Sequence, residues 1–535
     1  MEIYLLIAAS VVIACVFLNR ISSLSGVPTL LLFLVLGMVF GVDGILKINF
    51  DNQSFAENVC TFALIFIMFY GGFGTNVKSA KSVAAKSVLL STLGVIITAG
   101  ITGLFCRFAL KFGWLESFLI GSVISSTDAA SVFSILKSKK LNLKNNTASL
   151  LEIESGSNDP CSYMLTIIFI SALKGTVGGW SLAYLIFAQI VYGVAFGVAI
   201  AFVASFVLKK FDFKSAGFDT IFVLGVAIVS YALPSYFGGN GYLSAYIVGI
   251  YLGNKSIKNK KNLVNFFDGI TSLMQIVIFF LLGLLSYPSK LLPVALPALA
   301  IAVFITLVSR PIAVVGLLSP FKSPWNQQAV VAFSGLRGAS SVVFALMAGS
   351  SLSGVLTVDL FHIVFFIVLF SILIQGSLLP LVSKKTGMID AKFDVMKTFT
   401  DYTEEVPVQF ISFAMPENHD WCEKTLSEIS LPPETLVVML ERKGKSIIPN
   451  GKTVLKPLDK IILSAIKPED ISGVKLNEIS LSVNHEYIGK TVSAIPKTNG
   501  SLIVIIKRGE KVIIPRGNVI LKENDILVLS FPEND

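Results

Sequence analysis

The chain has 535 residues, 54% of them hydrophobic and only 14% charged, with a mean hydropathy of +0.77. Soluble proteins are about a quarter charged, so a wholly water-soluble protein is excluded. The net charge of +9 comes from lysines in short loops between apolar runs, not from a basic face interleaved with aromatics, which argues against nucleic acid as a partner. The five cysteines (Cys15, Cys60, Cys106, Cys161 and Cys422) form no C-x-x-C pair and no metal-like spacing, so neither a disulfide framework nor a zinc site is indicated.

The N-terminus is apolar from Ile3 onward, without a positive flank or a small-residue cleavage site, and reads as a retained first span. A hydrocarbon core of about 30 Å needs about 20 apolar residues per helix. Counting such runs in chain order predicts thirteen spans: 3-19, 27-45, 56-75, 87-109, 115-136, 147-172, 183-209, 218-235, 240-254, 264-286, 290-318, 326-349 and 359-383. An odd number puts the termini on opposite sides. With the N-terminus outside, the inner loops hold eighteen Lys and Arg and the outer loops five, so the polar tail after about residue 385 is expected in the cytoplasm.

Three spans carry charge where lipid does not tolerate it. The fifth has Asp128 in Ser125-Ser126-Thr127-Asp128, the sixth has Glu152, Glu154 and Asp159 ahead of Pro160, and the twelfth has Arg337 between Gly335 and Gly338. In the sixth span, Ser155 and Asp159 share one helical face, while Glu154 and Asn158 form a second row turned by about 100°. The first face is suited to bind and the second to brace. Pro160 removes the donor for the Gly156 carbonyl, and a dehydrated cation uses such oxygens. The fifth and twelfth spans each follow four others in the blocks one to six and eight to thirteen, and both can unwind. Broken helices in matching positions of two halves point to an inverted-repeat transporter with a midplane site. Glu152 reads as lying near the inner end of its span and reaching water, Arg310 as snorkelling to the cytoplasmic surface, and His362 as a satisfied interface residue.

Taken together, these residues resemble the monovalent cation:proton antiporter-1 family, most closely its NhaP-type potassium or sodium/proton members. The similarity runs through Thr127-Asp128, Glu154-Ser155-Gly156-x-Asn158-Asp159-Pro160, Gly335-Leu336-Arg337-Gly338, Gly239-Asn240-Gly241-Tyr242-Leu243 and Leu282-Gly283-Leu284-Leu285. The resemblance implies that Asp159 is the shared ligand for proton and monovalent cation, completed by Asp128, Ser155 and Thr127. It implies an electroneutral exchanger from Asn158, and a structural ion pair between Glu154 and Arg337. One position departs: Tyr70 stands before Gly71-Gly72, where many members have an acid, so a third intramembrane carboxylate is missing there.

Residues 386-420 read as a linker plus an edge element. Beyond them, 424-464 repeats at 490-530 with an offset of 66 and 17 identities in 41 positions, among them Lys424/Lys490, Gly451/Gly517 and Asp459/Asp525. Each copy reads as a short helix followed by strands, a small α+β unit, with boundaries at 421-466 and 467-535. Both copies resemble the TrkA-C domain. That implies pairing into a homodimer and regulation by a tail ligand, either cyclic di-AMP or another nucleotide or ion.

The expectation is therefore an all-α polytopic membrane protein with small α+β cytoplasmic domains, a transporter and not an enzyme. It would exchange K+ or Na+ for protons across the cytoplasmic membrane and need no cofactor for transport. The alternative is a ligand-gated cation channel, which the buried carboxylates and the lack of a T-V-G-Y-G filter disfavour.

Overall fold

The computed structural model describes residues 2-25, 28-75, 77, 81-139, 141-176, 178-211, 217-255, 257, 260-390, 408-417, 419-432, 435-442, 445-466, 474-481, 485-495, 502-508, 511-513, 515 and 517-532. It falls into two units, Met1–Glu404 and Glu405–Asp535. Of the expected linker at 386-420, residues 391-407 lie outside the described residues.

Among the described residues the first unit is helical, and its helices match the thirteen predicted spans one for one. They are α1 (Glu2–Ser25), α2 (Thr29–Phe40), α3 (Gln53–Gly74), α4 (Ala84–Phe108), α5 in two pieces (α5a, Trp114–Val123; α5b, Ala129–Ser138) and α6 (Thr147–Leu173). Then come α7 (Trp180–Lys210), α8 (Phe218–Tyr236), α9 (Gly241–Gly253), α10 (Lys260–Leu285), α11 (Pro288–Phe321), α12 in two pieces (α12a, Trp325–Phe333; α12b, Ala339–Ser351) and α13 (Leu360–Lys385). The two divided helices are the fifth and the twelfth, as the polar and glycine-rich strings in them require. Pro160 does not break α6, which runs through it.

Long apolar helices present apolar side chains outward, such as Phe202, Val203 and Phe206 on α7, the surface that a lipid solvent accommodates and water does not. Inside, helices approach to backbone contact where glycine leaves no side chain. A Cβ on Gly283 of α10 would lie 2.1 Å from the Leu34 carbonyl of α2, and one on Gly249 of α9 would lie 2.1 Å from the Phe69 carbonyl of α3. These contacts lock α2 against α10 and α3 against α9. Asn240 ties in the same region: its Oδ1 caps α9 by accepting from the Leu243 N–H at 3.0 Å, and its Nδ2 donates to the Pro160 carbonyl at 2.8 Å.

The second unit contains two antiparallel four-stranded sheets. Strands β1 (Val408–Ala414), β2 (Thr435–Arg442), β3 (Lys445–Ile447) and β4 (Lys460–Ile466) form one in the order β1-β4-β2-β3. Strands β5 (Val474–Ser480), β6 (Leu502–Arg508), β7 (Lys511–Ile513) and β8 (Asp525–Pro532) form the other in the order β5-β8-β6-β7. The duplication is exact in register: Phe410 opposes Ser464 as Leu476 opposes Ser530, and each copy has an irregularity at the same place, between Val437 and Met439 and between Ile503 and Ile505. The stretch expected as linker and edge element supplies β1, an edge strand, so the first copy starts ahead of residue 421. Pairing with β4 demands it. The short helix expected in each copy is instead a run of turns in the first and a single 3-10 turn, Val492–Ala494, in the second.

Candidate functional site

The two breaks meet. The Asp128 N–H donates to the Leu336 carbonyl at 2.8 Å, so the unwound stretch of α5 pairs with that of α12. Arg337 lies across the junction and donates through Nη1 to the carbonyls of Ser125 and Ser126 at 2.8 and 2.7 Å. Those carbonyls follow the end of α5a, where helical donors have run out and a cation offsets the negative end of the helix. Ser371 of α13 accepts from the Arg337 N–H at 3.1 Å and donates to Gln375 Oε1, steadying the second break from behind.

Asp128 stands at the head of α5b, where the Ser131 hydroxyl donates to its Oδ2 at 2.6 Å. Gly338 makes room for it, since a Cβ there would lie 2.4 Å from Asp128 Oδ2. Asp159 projects from the middle of α6 and is 4% exposed. Its carboxylate accepts from the Ser126 hydroxyl and, at 2.7 Å, from the Ser340 hydroxyl in the first turn of α12b. The Ser155 hydroxyl donates to the Thr127 carbonyl at 2.7 Å, and Asn158 Nδ2 donates to Thr127 Oγ1 at 2.5 Å.

A cavity of about 470 Å³ joins these groups. Asp128, Asp159, Thr127, Ser155 and Ser340 line it, and it opens where α3 ends and α6 and α10 begin. Of the sequence-predicted residues, Asp159, Asp128, Ser155 and Thr127 are thus brought together. Asn158 is fully buried one position along and is not part of the wall; it holds Thr127 from behind. Glu154 shares that second row. The division of α6 into one face toward the cavity and one against its neighbours follows the helical spacing.

The expected ion pair of Glu154 with Arg337 is replaced. Glu154, 1% exposed, pairs with Arg310 of α11, itself 2% exposed, while the Arg337 Nη1 goes to the two carbonyls. Arg310 therefore does not snorkel: it runs inward past Gly335, where a Cβ would lie 3.0 Å from its Nε. The reason is demand from both sides, since the unwound carbonyls claim one guanidinium and a buried carboxylate needs the other. His362 is satisfied, with Nε2 accepting from the Tyr287 N–H at 3.2 Å and Nδ1 bonded to Asp359 at 2.8 Å.

Three contributors carried only a weak sequence signal. Ser126 and Ser340 are hydroxyls within the two strings that unwind, and their neighbours hid which one would point at Asp159. Asp268 lies in the polar first turns of α10, where charge is unremarkable. It lines the same cavity and accepts from the Tyr70 hydroxyl at 3.3 Å.

Comparison with known proteins gives the family. The family described as "Sodium/hydrogen exchanger, transmembrane" matches residues 6–385, and the TrkA-C domain matches 410–474 and 476–535. The chain is 34% identical over 453 residues to the "K(+)/H(+) antiporter NhaP" of Alkalimonas amylolytica, covering 83% of this chain and 78% of that one. It is 34% identical over 466 residues to the "K(+)/H(+) antiporter NhaP2" of Shewanella sp. (strain ANA-3), covering 85% and 80%. In fold it is similar to the sodium proton antiporter MjNhaP1 of Methanocaldococcus jannaschii, with a TM-score of 0.63 at 22% identity over 72% of this chain and 99% of that one. The chain is a multi-pass membrane protein of the sodium/hydrogen exchanger family, a cation/proton antiporter with two TrkA-C domains in its tail.

Proposed function

We propose that the protein exchanges K+ for protons one for one across the cytoplasmic membrane, with Asp159 as the group that holds either ion. The observation that carries this is the cavity, in which the carboxylates of Asp128 and Asp159 line the same space from two different helices, with hydroxyls around them and a guanidinium turned away to backbone carbonyls. Burial favours the neutral form of a carboxyl, while a bound cation favours the ionised form. Proton and cation therefore compete for Asp159, and a unit that crosses only when Asp159 is neutralised exchanges them obligatorily. Asp128, Ser155 and the carbonyl of Thr127 supply the remaining oxygens for a dehydrated monovalent cation. Asn158 braces the site without adding charge.

One proton per cation moves no net charge, whereas two would couple exchange to about 2.3 kcal/mol per 100 mV. K+ is preferred over Na+ because the two relatives at 34% identity are named for K+, while the sodium-named MjNhaP1 stands at 22% identity. The lysine-rich loops support a topology with the N-terminus outside and the tail in the cytoplasm. The TrkA-C copies there are read as a ligand-responsive, dimerising regulator; cyclic di-AMP is the first ligand to try, by calorimetry on the full chain.

The test is exchange in proteoliposomes with K+, Na+, Rb+ and Li+, with and without a clamped potential. Wild type is expected to respond to added cation with saturation, K+ first, and to ignore the potential. Asp159→Asn is expected to abolish exchange while the protein stays folded. Full exchange in that variant, or dissipation of potential without proton movement, would contradict the proposal.

A further inference from the structure

The cavity has a mouth as well as a floor. Glu152, Ser155 and Asp159 form one stripe on α6, and seven residues of α-helix put Glu152 about 10 Å along the axis from Asp159. On α10, Asp268, Gln275 and Phe279 repeat at helical spacing along the facing wall. The last turns of α3 complete the rim with Tyr70 and Gly71. Exposure rises along this line: Asp159 is buried, Glu152 is half-buried and Asp268 is exposed. Tyr70 is itself buried, with its hydroxyl donated to Asp268 Oδ1 at 3.3 Å. A phenol holds a carboxylate in place without neutralising it, which a lysine or arginine would not do.

The mouth needs such a group. α10 begins with Lys260 and Lys261, and the loops on this side carry most of the chain's membrane-proximal lysines. A cation approaching that surface meets repulsion. An exposed carboxylate at the entrance of a low-dielectric funnel reverses the local field and raises the cation concentration where the route begins. Lys260 helps by turning its ammonium to the Gly253 carbonyl.

Resting on the exchange reading above, we propose that Asp268 gathers cations at the mouth of the cavity and so sets the concentration that half-saturates transport, with Tyr70 as its positioning residue. The carboxylate absent from position 70 is then supplied by the neighbouring helix, α10. Asp268 does not touch the bound ion. Its effect is on capture and not on turnover.

The full-length protein in proteoliposomes tests this at low and high ionic strength, adjusted with an impermeant organic cation salt. Asp268→Asn is expected to raise the KM for K+ about threefold at low ionic strength, the size of one unit charge acting across several ångströms of water. The maximal rate should stay within about twofold, and the KM difference should vanish as added salt screens the mouth. Asp268→Glu should restore the KM, and Tyr70→Phe should give a smaller rise of the same sign. A KM unchanged at low ionic strength would overturn the proposal, as would a loss of maximal rate that salt does not alter. Should Asp159→Asn retain exchange, the transport reading itself fails, whatever Asp268 does.

Discussion

Buried carboxylates in the two units are treated in opposite ways. In the tail, Asp459 and Asp525 are almost fully buried, and each is locked by an arginine. Arg442 donates to Asp459 through Nε and Nη2 at 2.8 and 2.7 Å, and Arg508 donates to Asp525 at 2.7 and 2.7 Å. The same arginines also reach the carbonyls of Val454 and Ile520, and the N–H groups of Lys456 and Lys522 complete the clamps. In the membrane unit, Asp159 receives hydroxyls from Ser126 and Ser340, while the two nearby arginines are engaged elsewhere. A resident arginine makes a carboxylate part of the architecture, whereas hydroxyls alone leave its charge to be met by an ion that comes and goes. Glu154 shows that the same helix can carry both kinds five residues apart.

The comparison can be broken first at Glu154. If its pair with Arg310 is architectural, Glu154→Gln or Arg310→Met strands a buried charge and costs about 3–5 kcal/mol. The measurement is thermal unfolding in detergent, where the double variant should recover part of the loss. A single variant with an unaltered midpoint would remove the distinction between the two arginines.

At the proposed exchange site the corresponding change is steric. Gly338 has an extended backbone that alanine adopts freely, but the added Cβ meets the Asp128 carboxylate at 2.4 Å. A displacement of about an ångström costs up to about 100-fold in a positioned site. Gly338→Ala is therefore expected to lower exchange by 10-fold or more while the melting temperature moves little. Unaltered exchange would mean that Asp128 has no fixed place in the site.

The tail gives the smallest effect and a pH signature. Hydrogen bonds from Arg508, ahead of the opposing cost of burial, hold the Asp525 carboxyl below the usual carboxylate range. At Asp459 burial is the largest influence and pushes upward, but the bonds from Arg442 and Lys456 outweigh it. A carboxyl whose native value is depressed stabilises fully above its ordinary titration near pH 4 and loses that contribution as pH falls through the lower native value. Acid unfolding of the tail should thus set in below about pH 4. Asp525→Asn and Asp459→Asn should each cost about 2 kcal/mol at neutral pH, as expected for charged hydrogen bonds, and flatten this dependence. Denaturant unfolding at two pH values checks both.

Much of this architecture is written in local pattern. Helix number, the two breaks, the cavity-lining and bracing faces of α6 and the duplicated tail follow from hydrophobic run length, from polar or glycine strings inside apolar segments, and from a fixed offset. Partner choice does not follow. Arg310 and Arg337 are both arginines in apolar spans, and only the folded geometry decides that one meets Glu154 and the other meets unwound carbonyls. Asp268 escapes for a related reason, since its significance comes from Tyr70, 198 residues away in sequence. The edge strand β1 likewise becomes legible only when β4 is beside it.

The most direct test of the account is the pH dependence of the half-saturating K+ concentration in proteoliposomes. Under the proposed competition of proton and cation for Asp159, the KM should rise about tenfold per pH unit on the acid side with the maximal rate unchanged. A constant KM accompanied by a falling maximal rate would show that the two ions occupy different groups, and would contradict it.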